Sequence, residues 1–319
     1  MTKYTSFMKE NIYDFIKYKK TLQKWNHGYE LYLKTFENYC LNNYENTNYL
    51  TQEMVDSWCK KRETEKNKSC NSRIGVIISF LKYTNSRNIT DLKIPSRLKS
   101  EKYSYIPHTF TEKELTNFFY ACDNIEVTNN SIMEKNKRLT IPVFFRLLYS
   151  TGMRTTEVRL LKANDIDLEN GIINIKKSKG YNQHYVVVSD LMRKYLVDYN
   201  TKISGLYPDR TYFFPTKNDS FHPKSWVHIN FKKYWKMYND SYAIPYDLRH
   251  HYAITNINNW VNKGIEFNDK LYYLSKSMGH SCIESTKYYY SLVPRMSDMF
   301  RTQINNTFES LIPEVKDYE

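Results

Sequence analysis

Residues 141–158 read IPVFFRLLYSTGMRTTEV. From Ile141 to Tyr149 the side chains are nearly all apolar, a density that predicts a helix buried on most of its surface. Thr151-Gly152-Met153-Arg154 ends that helix, because a glycine permits a sharp turn, and Thr155 onward opens another. Arg154 therefore stands at a helix junction, free to point into a cleft. Glu157, three residues on, is placed to hold its guanidinium.

Downstream the period changes. Residues 165–175 and 184–189 read as strands, the first pair turning at Glu169-Asn170-Gly171. The hairpin loop that follows is Lys177-Ser178-Lys179-Gly180-Tyr181-Asn182, and a lysine at its tip can reach over a bound strand. From Asp190 helices dominate. Pro245 is a plausible helix start for the segment that carries Arg249. The helix before Gly279 is stopped by that glycine, leaving His280 in the turn. Upstream, Thr111-Glu112-Lys113-Glu114 reads as an N-cap and first turn, with Leu115, Phe118 and Phe119 starting a core.

Further back, residues 1–92 read as helical. Trp25, Tyr29, Tyr32, Leu33, Phe36 and Tyr39 recur at three- and four-residue spacing, as do Ile74, Ile77, Ile78 and Leu81. Thr51 caps a helix with Met54, Val55 and Trp58 inside. Lys60, Lys61, Arg62, Lys66, Lys68 and Arg73 supply candidate phosphate contacts there. Residues 93–109 hold two prolines, many charges and no apolar period, and are read as an interdomain linker. The expectation is a mainly α chain with a small β-sheet (α+β): a helical domain over 1–104 and a mixed domain over 105–319.

Composition narrows the class. The 319 residues carry a net charge of +13 with a pI near 9.2. Residues 1–104 hold 19 basic and 11 acidic side chains, so most of that excess lies in the first third. A surface of this kind follows phosphates. Five cysteines without a CxxC pair argue for a reducing compartment and against a zinc ribbon. His222 and His228 have no Cys partner, and a metal site there is not expected. Neither an apolar leader nor an 18-residue apolar run is present. A cytoplasmic protein acting without cofactor or metal is expected.

Two arginines, a histidine and a late tyrosine are what a phosphodiester needs if a tyrosine is to attack it. Arg154 and Arg249 would neutralise the non-bridging oxygens, His280 would add a hydrogen bond, and one of Tyr288, Tyr289 and Tyr290 would make the covalent bond. Lys179 would protonate the departing 5′ oxygen.

In order and type, TGMRTTEV (151–158), the lysine in KSKG (177–180), YDLRHHYA (246–253), MGHS (278–281) and TKYYYSL (286–292) resemble the motif set of the tyrosine recombinases, the phage-integrase family. The resemblance covers roughly residues 105–293, and the helical N-terminal third is similar to that family's core-binding domain. It implies the breaking-rejoining catalytic fold, in a simple two-domain form without an additional arm-binding domain. It matches Arg154 and Arg249 to the family arginines, Lys179 to the β-hairpin lysine and His280 to the histidine after glycine. The family nucleophile follows that histidine by nine positions, which selects Tyr289. The resemblance also implies a 3′-phosphotyrosyl intermediate, double-stranded DNA clamped between two domains, and a homotetramer on paired sites. Integration, excision or transposition of a mobile element is the expected task.

Two features depart from the pattern. Tyr246 stands where the family usually has histidine, sometimes lysine. A phenol donates a hydrogen bond but titrates near ~10, so His280 is the better proton carrier. The segment between Arg249 and His280, with residues 263–268, is longer than in compact members. The tail bears Met296, Met299, Phe300 and Ile304 at helical spacing, and docks either on its own domain or on a neighbouring protomer. Rival readings are a type IB topoisomerase, a regulator that has lost catalysis, and a metal-dependent transposase using Asp165 and Asp167, whose third carboxylate has no persuasive setting.

Overall fold

The computed structural model describes residues 3–25, 27–99, 106–126, 129–176, 183–260, 267–287 and 289. The chain divides into two compact units, Met1–Tyr105 and Ile106–Glu319. It is mainly helical, with one small sheet. Among the described residues no helix is long and apolar enough to cross a membrane.

The first unit holds α1 (Lys9–Thr21), α2 (His27–Asn43), α3 (Gln52–Cys59) and α4 (Asn67–Asn85). Phe15, Leu33, Phe36, Val55, Trp58, Ile77 and Phe80 form its core. Thr51 caps α3 by accepting the Met54 amide at 3.3 Å. Three basic residues before α4 and one in its first turn are exposed: Lys60, Lys61, Lys66 and Lys68. Exposed Arg62 lies over the Trp58 ring at 5.1 Å.

Arg73 corrects the expected set of phosphate contacts. It is buried, bonds Glu65 at 2.6 and 3.0 Å, and donates to the carbonyls of Trp58 and Lys60. Its guanidinium holds the Glu65 carboxyl down to about 2. An arginine enclosed by a carboxylate and carbonyls ties down the loop between α3 and α4 and has no face left for DNA.

The expected linker also differs over its first part. Gln52 pairs both amide atoms with the Lys93 backbone at 2.8 and 3.3 Å, and Asn71 does the same with Leu98 at 2.9 Å each. Asn67 reaches the Lys99 carbonyl at 3.0 Å, and Leu98 packs against the Cys70–Ile74–Ile78 cluster. Residues 93–99 are thus a strap on the first unit, satisfied by side-chain amides in place of a ladder.

The second unit contains α5 (Glu112–Asp123), α6 (Ile132–Thr151), α7 (Thr155–Arg159), strands β1 (Ile166–Asp167), β2 (Ile172–Ile175) and β3 (His184–Val187), then α8 (Asp190–Leu206), α9 (Lys224–Trp235), α10 (Asp247–Trp260), α11 (Phe267–Ser277) and α12 (Glu284–Lys287). Thr111 and Glu114 form a reciprocal capping box on α5. The antiparallel sheet has order β1-β2-β3, with Ile173 opposite Val186 and both buried. The central helix α6 packs Ile141, Phe144, Phe145, Leu147 and Leu148 into the core. Ala253, Ile257, Leu274, Met278 and Tyr289 form a smaller cluster beside it.

Candidate active site

Three chain reversals build the site. The first is the end of α6, where Gly152 adopts φ +62° and donates its amide to Leu148 O at 3.1 Å. A Cβ on Gly152 would lie 2.3 Å from Tyr252 Cδ1. Backbone strain and overpacking act together there, so Gly152→Ala is expected to destabilise the second unit by about 2–4 kcal/mol. Hydrogen exchange at the α6 and α10 amides checks it, and unchanged protection would contradict the expectation.

Beyond this turn Arg154 is the N-cap of α7. Glu157 Oε2 accepts the Arg154 amide at 2.8 Å, and Glu157 Oε1 accepts from Nη1 at 2.6 Å. Arg154 Nη2 donates to Gly279 O at 2.7 Å. A carboxylate that is 4% exposed therefore fixes the guanidinium from behind.

The second reversal precedes α10. Asp247 is fully buried and accepts the Ile244 amide at 2.9 Å, which starts the helix. Arg249 sits in its first turn and is 2% exposed. Its Nη1 donates to Gly152 O at 2.6 Å, and its Nη2 to Met278 O at 2.7 Å and to His280 Nε2 at 2.9 Å. Burial first, and the like charge of Arg154 second, lower the Arg249 pKa from the ordinary arginine value. Among the described residues no carboxylate bonds to it, and its Nε has no hydrogen-bond partner.

The third reversal ends α11. Gly279 has φ +63°, and a Cβ there would meet His184 Cε1 at 2.6 Å and Arg154 Nη1 at 3.0 Å. The missing side chain is what lets β3, Arg154 and the turn approach one another. The carbonyls of Met278 and Gly279 thus take one arginine each. His280 follows, with Nδ1 2.6 Å from Thr286 Oγ1. Burial, then Arg249 and Arg154, push its pKa down to about 4, so the ring is neutral at neutral pH.

Tyr289 is 3% exposed. Its ring lies 6.5 Å from that of His280 at an interplanar angle of 12°, and 5.6 Å from that of His250. Tyr246 is 39% exposed, with its ring edge-on to His250 at 4.9 Å. Arg154, Arg249, His280 and Tyr289 therefore converge, with Tyr246 at the margin. Lys179, residues 263–266, Tyr288, Tyr290 and the tail from 291 lie outside the described residues.

Sequence reasoning passed over three features. Thr286 is a lone hydroxyl with no spacing to mark it. His184 was read only as part of a strand. Lys224, His228, Lys232 and Lys236 carried a signal, since four-residue steps on one helix make a stripe. All four are exposed along and just beyond α9.

The fold and the convergence of these residues can now be set beside known proteins. The family model described as the phage integrase family matches residues 108–295. The chain belongs to that family, tyrosine site-specific recombinases that cleave and rejoin DNA. A Sinorhizobium fredii protein named as an integrase/recombinase is 26% identical over 189 residues, which span 57% of this chain and only 59% of that protein. The structure of XerH site-specific recombinase bound to palindromic difH substrate, a post-cleavage complex, superposes with TM-score 0.61 at 16% identity, covering 86% of this chain and 78% of that one. The Tn1549 transposon integrase in complex with transposon right end DNA gives 0.59 at 16% identity, covering 93% and 99%.

Proposed function

We propose that this chain is a cytoplasmic recombinase acting on double-stranded DNA, in which Tyr289 attacks the scissile phosphate during integration, excision or transposition of a mobile element. The observation that carries this reading is Arg249. A buried cation bonded to carbonyls and an imidazole, with an orphaned Nε–H and no bonded carboxylate among the described residues, is a site short of one anion. A phosphate supplies it.

In this mechanism the Tyr289 oxygen forms a bond to phosphorus and the P–O5′ bond breaks, giving a 3′-phosphotyrosine and a 5′ hydroxyl. Arg154 and Arg249 stabilise the charge that develops on the non-bridging oxygens. Neutral His280 takes the phenol proton at Nε2 once Arg249 Nη2 turns to the phosphate, and Lys179 gives a proton to O5′. Tyr246 donates a hydrogen bond at the margin. Attack by a 5′ hydroxyl from a partner duplex reverses the step, with bond energy retained in the phosphotyrosine. Two sites held in a homotetramer allow the exchange. Lys60, Lys61, Arg62, Lys66 and Lys68 in the first unit follow phosphates. So does the α9 stripe, whose steps rise about 6 Å each.

The test is a nicked suicide duplex, whose released 5′ fragment diffuses away and traps the adduct. Peptide mapping of the trapped protein is expected to find the nucleotide on Tyr289. A nucleotide on another residue, or no adduct on any duplex carrying the element's ends, overturns the reading.

A further inference from the structure

We propose that Thr286 is a positioning residue that holds His280 in the Nδ1–H tautomer, keeping the Nε2 lone pair toward Arg249. The proposal deepens the recombinase reading and rests on it. Its geometry is independent of DNA.

Arg249 Nη2 lies 2.9 Å from His280 Nε2, and a guanidinium can only donate. Nε2 must therefore be the acceptor, which leaves the single ring proton of the neutral histidine on Nδ1. The atom 2.6 Å from Nδ1 is Thr286 Oγ1, and it accepts that proton. The opposite tautomer would set an Nε2–H against an N–H of Arg249 and leave Nδ1 facing a hydroxyl that would have to turn. Thr286 is fully buried, with its amide fixed to Ile283 O at 2.8 Å, so its hydroxyl cannot drift from the ring. Burial and the two guanidiniums keep the imidazole uncharged, as the arrangement requires.

The placement also gives the contact a second role. Thr286 ends three residues before Tyr289, on the same short stretch of chain. A relay of Thr286, His280, Arg249 and Gly152 O thus joins the nucleophile's segment to the turn that presents Arg154. Shifting α12 breaks the tautomer lock, and breaking the lock loosens the register of the attacking phenol.

The experiment labels histidine with 15N and reads the ring nitrogens of DNA-free protein, assigning His280 by His280→Gln. Wild type is expected to show a protonated Nδ1 and an unprotonated Nε2. Thr286→Val, which keeps shape and removes the acceptor, is expected to mix the pattern. Its single-turnover cleavage of the suicide duplex should slow about 10- to 100-fold with DNA affinity unchanged. Thr286→Ser is expected to restore both signals. A protonated Nε2 in wild type overturns the proposal, a measurement that needs no variant to fold. So does a Thr286→Val protein that keeps the wild-type tautomer and rate. Failure of the recombinase reading looks different, since no duplex then yields an adduct with wild type while the tautomer pattern still reports on Thr286.

Discussion

Tyr289→Phe is expected to bind DNA as wild type does and to form no covalent adduct. The substitution removes one oxygen and keeps a ring that is 3% exposed and packed with Ala253, Ile257, Leu274 and Met278. Stability should change by no more than about 1 kcal/mol, the scale of one hydrogen bond. Chemistry should change far more, because phenylalanine offers no atom that can bond to phosphorus. Adduct formation is expected to fall by at least about 10^4-fold, as when an enzyme loses its nucleophile. Tyr288→Phe and Tyr290→Phe provide the comparison within the same triplet and should still react. Denaturing gels of protein trapped on labelled suicide duplex read all three. An adduct that persists in Tyr289→Phe would remove that residue from its role and return the choice to its neighbours.

What the chain disclosed in advance follows physical lines. The apolar density of 141–149 found the second half of α6 but not its first turns, where Glu134, Lys135, Lys137 and Arg138 interrupt the apolar pattern. Gly152 and Gly279 were legible as breaks, since a left-handed backbone position marks itself by residue type. Arg73 misled because a basic residue among basic residues reads as surface, and only folding shows Glu65 closing on it. Likewise the strap at 93–99 has a linker's composition, and its attachment depends on the amides of Gln52, Asn67 and Asn71, distant in sequence.

For the site, Arg154, Arg249, His280 and Tyr289 were readable because each carries chemistry at a fixed offset from a glycine, a helix start or another member of the set. The partners that orient them were not. Gly152 O and Met278 O are backbone atoms that every residue owns, and Thr286 is one threonine among many. Tyr246 is set apart from these four, and its ring lies against His250, whose pKa burial lowers. His280 is the imidazole that both bonds Arg249 and stacks on the Tyr289 ring, which places it beside the two groups the chemistry needs.

Apart from loss of the attacking phenol, Arg249→Lys is expected to be the most damaging conservative change in the site. The guanidinium meets Gly152 O, Met278 O and His280 Nε2 from two nitrogens and keeps Nε–H in reserve. A lysine ammonium is a point donor on a flexible stem and cannot span three acceptors lying in different directions. It would leave at least one buried carbonyl unpaired, at about 1–3 kcal/mol of stability. It would also release His280 Nε2 from its donor, so the imidazole loses its fixed orientation. In the transition state the lost fork would have faced an oxygen gaining negative charge in a site closed to water. Removal of one such donor costs about 10^2- to 10^3-fold in rate, and misplacing His280 adds to it. Single-turnover cleavage by Arg249→Lys is therefore expected to fall at least about 10^3-fold. DNA affinity should weaken by less than about tenfold, because the exposed lysines of the first unit and of α9 are unchanged by the substitution. Cleavage within tenfold of wild type would show that charge alone suffices at this position, and would remove the fork geometry from the mechanism.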